Sequence, residues 1–432
     1  MTNRFGIAPD ETHLHHQRLT IEGGIPLHGT AETDSSKNAT LPLMAATLLT
    51  SDLVTLHRVP QITDIAVMCQ ILKGVGAVCH NEGTTVKVKG RATTGIVPKE
   101  LSSQIRASIV FLGALITTLG EVELPLPGGD KIGERPVDIH LEALGELGVE
   151  SYIKGGVIYA KAKELPLTGN NVFLRFPSVL ATANLIIAAS LAKGQTVIYN
   201  AACEPEIVDV AIMLNQMGAK IFGAGTNTIK INGVESLSGA VHEPIPDRIE
   251  AGTLLTALAI TGGTGVIKRC IPEHNIALIS LLKKTGVQLI IGSDNSIEVK
   301  QSVMSNGIHA MAMPYPGLAT DLQPLVTSLA TQCRGESIIS DIVHPDRFAH
   351  LTDLIKMGAN LIRSGNQVRV YGGEELAGTQ IEGTDIRSVT ALICAGLAAK
   401  GISYVSGLEH LHRGHANLIK KLGALHARIE YI

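Results

Sequence analysis

A chain of 432 residues, 45% hydrophobic and with 45 glycines, exceeds what one compact core usually holds, so two domains are expected. Its net charge of −3, pI of about 6.6 and aromatic content of 3% without Trp exclude the basic, aromatic-studded surface of a dedicated nucleic-acid binder. No apolar run combines membrane-spanning length with freedom from charge: residues 105–119 are too short and include Arg106.

The N-terminus lacks the charged-then-apolar pattern of a secretory signal, and His13, His15 and His16 read as a polar tail without a role. The six cysteines are scattered without a C-x-x-C pair, which fits a reduced, cytoplasmic protein without a disulfide framework or zinc site.

In chain order, a short strand over 19–27 comes first. One pattern then recurs at intervals of about seventy residues, and such a period decides the fold before anything else. Each copy opens with a helix of small and aliphatic residues, and these helices start near Lys37, Arg106, Ser178, Arg248, Asp321 and Arg387. A β-rich run follows, as in 53–59, 194–200 and 335–343. An amphipathic helix comes next and stops at glycine: Gly76, Gly148, Gly218, Gly286, Gly358 and Gly423. A turn-linked strand pair closes most copies, as in 78–90, 220–233 and 360–372, where Thr228–Asn232 alternates apolar and polar residues.

Each copy is therefore βαβαββ-like, with one wholly buried and one half-exposed helix. Two groups of three bury the inner helices most economically, and a solenoid is the alternative. The fold expected is α/β with six internal repeats in two lobes. One lobe is discontinuous, comprising 1–36 and 246–432, and the other spans 37–245. The strand at 19–27 would complete the sheet of the last repeat, which otherwise lacks a final strand. Two crossings, near 34–36 and 243–247, would make a hinge, with a ligand cleft expected between the lobes.

The inner helices begin with charge. Unpaired N–H groups at a helix start favour anions, and nearby cations strengthen such a site. Ordinary N-capping accounts for Thr320 and Thr384. It does not account for Lys37, Arg106 or Arg387, whose positive charge is unfavourable to an isolated helix, so an anion-binding role is expected for them. A loop at 126–136, LPGGDKIGERP, holds Asp130, Lys131, Glu134 and Arg135 between glycines that would make it mobile. It reads either as a solvated surface loop or as a lid that excludes water on closing.

These stretches resemble the UDP-N-acetylglucosamine enolpyruvyl transferases. The matching pieces are SKNA (36–39), RAS (106–108), LPGGDKIGERPVD (126–138), EPEIVD (204–209), PDRIEAGT (246–253), TDLQ (320–323), DRF (346–348), TDIR (384–387) and HRG (412–414). They run in the family's order over almost the whole chain. The resemblance implies an inside-out α/β barrel of two lobes, each of three βαβαββ units. It implies transfer of the enolpyruvyl group of phosphoenolpyruvate to the 3′-hydroxyl of UDP-N-acetylglucosamine with release of phosphate, the step that commits to peptidoglycan precursors for the cell wall. No metal or cofactor is implied, and no nucleic-acid or membrane partner.

Carried over residue by residue, Lys37, Asn38, Arg135, Arg387 and Arg413 would hold phosphoenolpyruvate. Arg106, Arg135, Pro136, Val137, Asp138, Ile139, Ser178, Asp321 and Val343 would line the UDP-sugar side. Asp321 would accept the proton of the attacking hydroxyl, and Lys37 and Arg413 would take part in catalysis. Asp130, where most relatives carry cysteine, would protonate C3 of the donor, a role that needs its carboxyl desolvated. The third inner helix departs from the pattern: Phe176 replaces an expected lysine and Leu180 an expected glycine, with Arg175 one position earlier. An enolpyruvyl transferase with another nucleotide or sugar acceptor, or a non-catalytic paralogue that binds nucleotide sugars, are the alternatives. The sister enzyme acting on shikimate 3-phosphate shares fold and chemistry but matches 126–138 and 204–209 poorly.

Overall fold

The computed structural model describes residues 18–130, 132–133, 136–415 and 417–432; Arg135, Lys131, Glu134 and the histidines of the tail lie outside them. The described chain is α/β, with its strands in five four-stranded sheets and one three-stranded sheet. One strand order recurs in them. In most, an extended strand leads into an inner helix and the crossover returns the chain as a parallel neighbour; in two, the parallel partners come from distant parts of the chain, Val241–His242 with Val54–Leu56 and His28–Glu32 with Thr264–Lys268. An outer helix then delivers an antiparallel hairpin. Thus Asn171–Phe173 runs parallel to Gln195–Tyr199, and Gln195–Tyr199 antiparallel to Thr228–Asn232, which pairs with Lys220–Phe222. The same order recurs with Val241–His242, Val54–Leu56, Thr85–Lys89 and Val78–Glu82. In the three-stranded sheet, an isolated parallel bridge between Ile96 and Glu123 takes the place of the outermost strand.

Contacts divide the described chain into two units: up to 34 with 132–133 and 246–432, and 35–130 with 136–245. They are called here the Asp321 unit and the Lys37 unit. Each carries three of the sheets and three mutually packed inner helices. In the Lys37 unit these are Lys37–Ala46, Phe111–Leu119 and Val179–Ala189; in the Asp321 unit, Arg248–Ile260, Gln323–Ala330 and Ile386–Ala398. Every residue of Arg248–Ile260 is buried, as expected for a helix apolar on all sides. Close approach explains some of the glycines. A Cβ at Gly113 would stand 2.5 Å from the backbone oxygen of Asn184 on the neighbouring inner helix.

Several expectations need correction. Leu19–Gly23 is shorter than expected but does complete the last sheet, where it lies between Gly401–Ser406 and Arg428–Tyr431. A second N-terminal strand, His28–Glu32, pairs parallel with Thr264–Lys268; its sequence HGTAE shows no apolar alternation to betray it. Five outer helices do end at glycines with positive φ, at Gly76, Gly148, Gly218, Gly286 and Gly358. The sixth runs through Gly423 to Ala424, and His426, with φ 60, takes the left-handed position. Arg106 and Asp321 sit in short 3₁₀ turns ahead of their α-helices.

Candidate functional site

In the Lys37 unit, Ser36 caps the first inner helix by accepting from the Ala39 N–H at 3.3 Å, which places Lys37 and Asn38 in its first turn, both half-buried. A cation there opposes the helix dipole. The compensation is Asp64, in the first turn of Thr63–Gly74: its buried Oδ2 lies 2.8 Å from Lys37 Nζ. Arg106 donates from Nη2 to the Pro136 carbonyl at 3.3 Å, joining the second inner helix start to the stretch that carries Val137, Asp138 and Ile139. Asp138 accepts from the Ile139 N–H at 2.8 Å.

His140, one residue further, was not expected. Its Nδ1 accepts from Asn184 Nδ2 at 2.8 Å, while Asn184 also donates to Ile109 O and accepts from the Gly113 N–H. Burial pushes His140 down to about 3, and the nearby Arg106 guanidinium adds to the effect. A neutral imidazole and a fully used amide thus bind the helix Asp138–Gly145 to two inner helices.

Ser178 caps the third inner helix, accepting from the Ala181 N–H at 3.4 Å. Beside it, Arg175 is committed to two carboxylates of Asp138–Gly145. Nη1 reaches Glu142 Oε1 and Oε2 at 2.6 and 2.7 Å, and Nη2 reaches Asp138 Oδ2 at 2.5 Å. Arg175 holds the Asp138 carboxyl below the usual range. Phe176 is exposed and Leu180 half-buried.

The 126–130 stretch lies close against residues 102–106. Gly128 donates its N–H to Ser102 O at 3.3 Å, and a Cβ there would lie 1.6 Å from Ser103 O. Gly129, at φ +100, faces Arg106 less tightly, a Cβ there lying 3.1 Å from the Arg106 nitrogen, and the two glycines let the loop lie on residues 102–106 with Asp130, half-buried, at its end.

In the Asp321 unit, Asp321 lies between two arginines. Arg347 Nη1 donates to Oδ1 at 2.6 Å and Arg387 Nη2 to Oδ2 at 2.7 Å. Both guanidinium side chains are about as buried as core residues, at 4% and 5% exposure, while the Asp321 side chain keeps 21%. Burial alone would raise its carboxyl, but Arg387 and Arg347 outweigh burial and hold it well below the ordinary carboxylate range. The network continues. Thr320 Oγ1 donates to Asp341 Oδ2 at 2.6 Å, and Asp341 Oδ1 accepts from the Val343 and His344 N–H groups, each at 2.8 Å. Thr320 therefore serves Asp341 and is not a helix cap.

Asp385 caps the sixth inner helix in a reciprocal box with Ser388, so the capping expected of Thr384 falls to its neighbour. That box sets Arg387 in the first turn. Arg413 is half-buried at the end of Leu408–His412, two residues before His415, whose Nε2 lies 3.0 Å from Arg387 Nη1.

Other matched motifs are structural. Asp209 accepts from the Ile245 N–H at 3.1 Å and pairs with His242 Nε2 at 2.9 Å, fixing the segment before Pro246. Glu250 receives Lys421 Nζ on both oxygens at 2.7 Å and the Asp34 N–H at 2.6 Å; burial pushes its carboxyl up to about 7 against the pull of Lys421.

The structure thus joins Lys37 to Asp64, Arg106 to the 136–139 stretch, and Asp321 to Arg387. Arg347, Asp341, His140 and His415 were missed as site residues. Arg347 had a signal, since it stands inside the matched DRF triplet; the others had none, because only the fold brings them to their partners. Among the described residues there is no group of His, Cys, Asp or Glu arranged to hold a metal ion, and no helix long and apolar enough to cross a membrane. All six cysteines are free.

Comparison with known proteins gives a consistent family. The family model described as EPSP synthase (3-phosphoshikimate 1-carboxyvinyltransferase) matches residues 21–422. A UDP-N-acetylglucosamine 1-carboxyvinyltransferase 1 from Caldanaerobacter subterraneus is 40% identical over 412 residues, covering 95% of this chain and 99% of the relative. UDP-N-acetylglucosamine 1-carboxyvinyltransferases from Fervidobacterium nodosum and Prochlorococcus marinus are 43% and 44% identical, over 94% of this chain and 96% and 89% of their own lengths. Among solved structures, the enolpyruvyl transferase NikO from Streptomyces tendae superimposes with a TM-score of 0.85 at 25% identity, covering 96% of this chain and 98% of its own. An EPSP synthase from Acinetobacter baumannii shares the fold, with a TM-score of 0.76 at 19% identity over 96% of this chain and 100% of its own.

Proposed function

The chain belongs to the EPSP synthase family of enolpyruvyl transferases, and from that premise we propose that it transfers the enolpyruvyl group of phosphoenolpyruvate to the 3′-hydroxyl of UDP-N-acetylglucosamine, releasing phosphate. The carrying observation is the Asp321 carboxylate held between Arg347 and Arg387. Two guanidinium groups beside one ionised carboxylate supply donors for an anionic substrate and an ionised base for the acceptor.

An aspartate with so low a pKa is a weak base while both arginines grip it. Phosphoenolpyruvate, by attracting Arg387, would loosen that grip and raise the basicity of Asp321 as the acceptor hydroxyl arrives. The hydroxyl oxygen then bonds to C2, its proton passes to Asp321, and Asp130 delivers a proton to C3. Loss of a C3 proton from the tetrahedral adduct, with departure of phosphate through the C2–O bond, regenerates the enol ether. Lys37, oriented by Asp64, together with Asn38, Arg135 and Arg413, would hold the donor's phosphate and carboxylate. Arg106, residues 136–139, Ser178 and Val343 would hold the UDP-sugar. The protein would act in the cytoplasm in peptidoglycan precursor synthesis. The recurring sheet order supports the finer architecture we propose, an inside-out α/β barrel of six βαβαββ units, three per lobe.

Phosphate release by the purified protein tests the activity. Release that requires both phosphoenolpyruvate and UDP-N-acetylglucosamine supports it; no release with either acceptor nucleotide sugar or shikimate 3-phosphate overturns it. A second acceptor reading has one specific support: Arg175, the cation nearest Phe176 in sequence, is occupied by Glu142 and Asp138. If another UDP-sugar or nucleotide is used at least tenfold more efficiently than UDP-N-acetylglucosamine, that reading replaces the first.

A further inference from the structure

Arg387 is held on two edges by partners of different kinds. Nη2 donates to the Asp321 carboxylate at 2.7 Å, and Nη1 lies 3.0 Å from His415 Nε2. Arg387 is 4% and His415 2% exposed, so water is largely absent from this contact. A guanidinium has donors only, so His415 Nε2 must accept, and its ring is neutral with the proton on Nδ1. The charge count follows. Arg347 and Arg387 face the Asp321 carboxylate, with the Asp341 carboxylate acting on Arg347 from behind Thr320, and a neutral His415 adds no further negative charge. A carboxylate at the same place would satisfy Arg387 as well but would add one.

The position of His415 matters equally. It sits in the turn after Leu408–His412, where its N–H donates to Leu411 O at 2.9 Å and Arg413 N–H donates to His410 O at 3.3 Å. The ring therefore ties the turn that bears Arg413 to the first turn of Ile386–Ala398.

We propose that His415 is a positioning residue for the donor site: an uncharged acceptor that fixes Arg387 beside Asp321, adds no negative charge there, and anchors the turn carrying Arg413. This rests on the enolpyruvyl transfer reading. Sequence alone offered no sign of it, since His415 lies just beyond the HRG match.

The test uses the full chain and three variants, His415→Gln, His415→Leu and His415→Glu, with steady-state kinetics, direct phosphoenolpyruvate binding by calorimetry, and melting temperature. Glutamine retains a neutral acceptor, and KM for phosphoenolpyruvate should stay within about threefold of the parent. Leucine removes one charge-assisted hydrogen bond and should raise it by about tenfold. Glutamate should raise it by about a hundredfold, because a new charge opposes the donor at close range, while the melting temperature holds or rises through the Arg387 pair. KM for the acceptor should move less than threefold. Donor affinity unchanged in His415→Glu, or losses in all three variants that track melting temperature alone, would overturn the proposal. A parent protein that neither binds phosphoenolpyruvate nor turns over overturns the activity reading instead. Nitrogen-15 NMR of the His415 ring separates the two: the proposal requires an unprotonated Nε2 whatever the substrate, and a protonated Nε2 refutes it.

Discussion

Replacing Asp321 with asparagine removes the one negative charge between Arg347 and Arg387 and keeps the shape. At contact distances of 2.6 and 2.7 Å the amide oxygen can still serve one arginine, but the other faces an NH₂ group. Breaking a buried ion pair by deleting one partner typically costs about 3–5 kcal/mol. Because Asp321 keeps 21% exposure, the lower end, about 3 kcal/mol, is expected from urea unfolding at neutral pH.

The pH dependence carries the stronger test. Asp321 has a folded-state pKa below its ordinary value, so its stabilisation is complete above about pH 4–5 and disappears as pH falls through the folded value. The parent and Asp321→Asn should therefore differ by a constant amount between about pH 5 and 8 and converge in strong acid. A gap that survives unchanged to about pH 2 would show that the carboxylate charge is not its source. On activity, loss of a general base should lower kcat by about 10²–10⁴-fold. A fall of less than about tenfold would remove Asp321 from that role.

Three further outcomes follow from the structure. Gly128→Ala puts a Cβ 1.6 Å from Ser103 O, so it should displace the loop bearing Asp130 and cost about 1–3 kcal/mol, whereas Gly145→Ala, with open space around its Cβ in a helix, should be neutral or stabilising; equal melting temperatures would refute the packing role. Burial raises the folded pKa of Glu250 from 4.5 to about 7, so it binds a proton more tightly folded than unfolded and should make stability decline with pH across that interval. In Glu250→Gln this decline should flatten, and an unchanged slope would contradict it. Asp130 offers no thiolate to an alkylating epoxide such as fosfomycin, so mass spectrometry should find no adduct on this protein and an adduct on Asp130→Cys.

Much of the fold was legible because repetition is a property of sequence. The glycine stops at 76, 148, 218, 286 and 358, and the small-residue helices, each repeat a local chemical requirement that tertiary structure did not override. The N-terminal strands were harder. His28–Glu32 has no amphipathic signature, and Leu19–Gly23 takes its place only through partners near the far end of the chain.

At the site, charged residues at apolar helix starts were legible because they oppose the helix dipole and so demand a partner. Their partners were not. Asp64 for Lys37, Arg347 for Asp321, His415 for Arg387, and Asn184 for His140 all sit on separate elements, 26 to 44 positions away in the chain, and only packing brings them together. The glycines of 126–130 were read for the motion they permit; the structure adds that they also permit close contact with residues 102–106.

The most direct measurement of the proposed chemistry uses phosphoenolpyruvate labelled with oxygen-18 at the bridging position, incubated with the protein and UDP-N-acetylglucosamine. Transfer through C2 breaks the bond between carbon and the bridging oxygen, so the label should leave in inorganic phosphate and the acceptor should gain an unlabelled enolpyruvyl group. Unlabelled phosphate, with the oxygen-18 retained on pyruvate, would mean cleavage between phosphorus and oxygen and would contradict enolpyruvyl transfer.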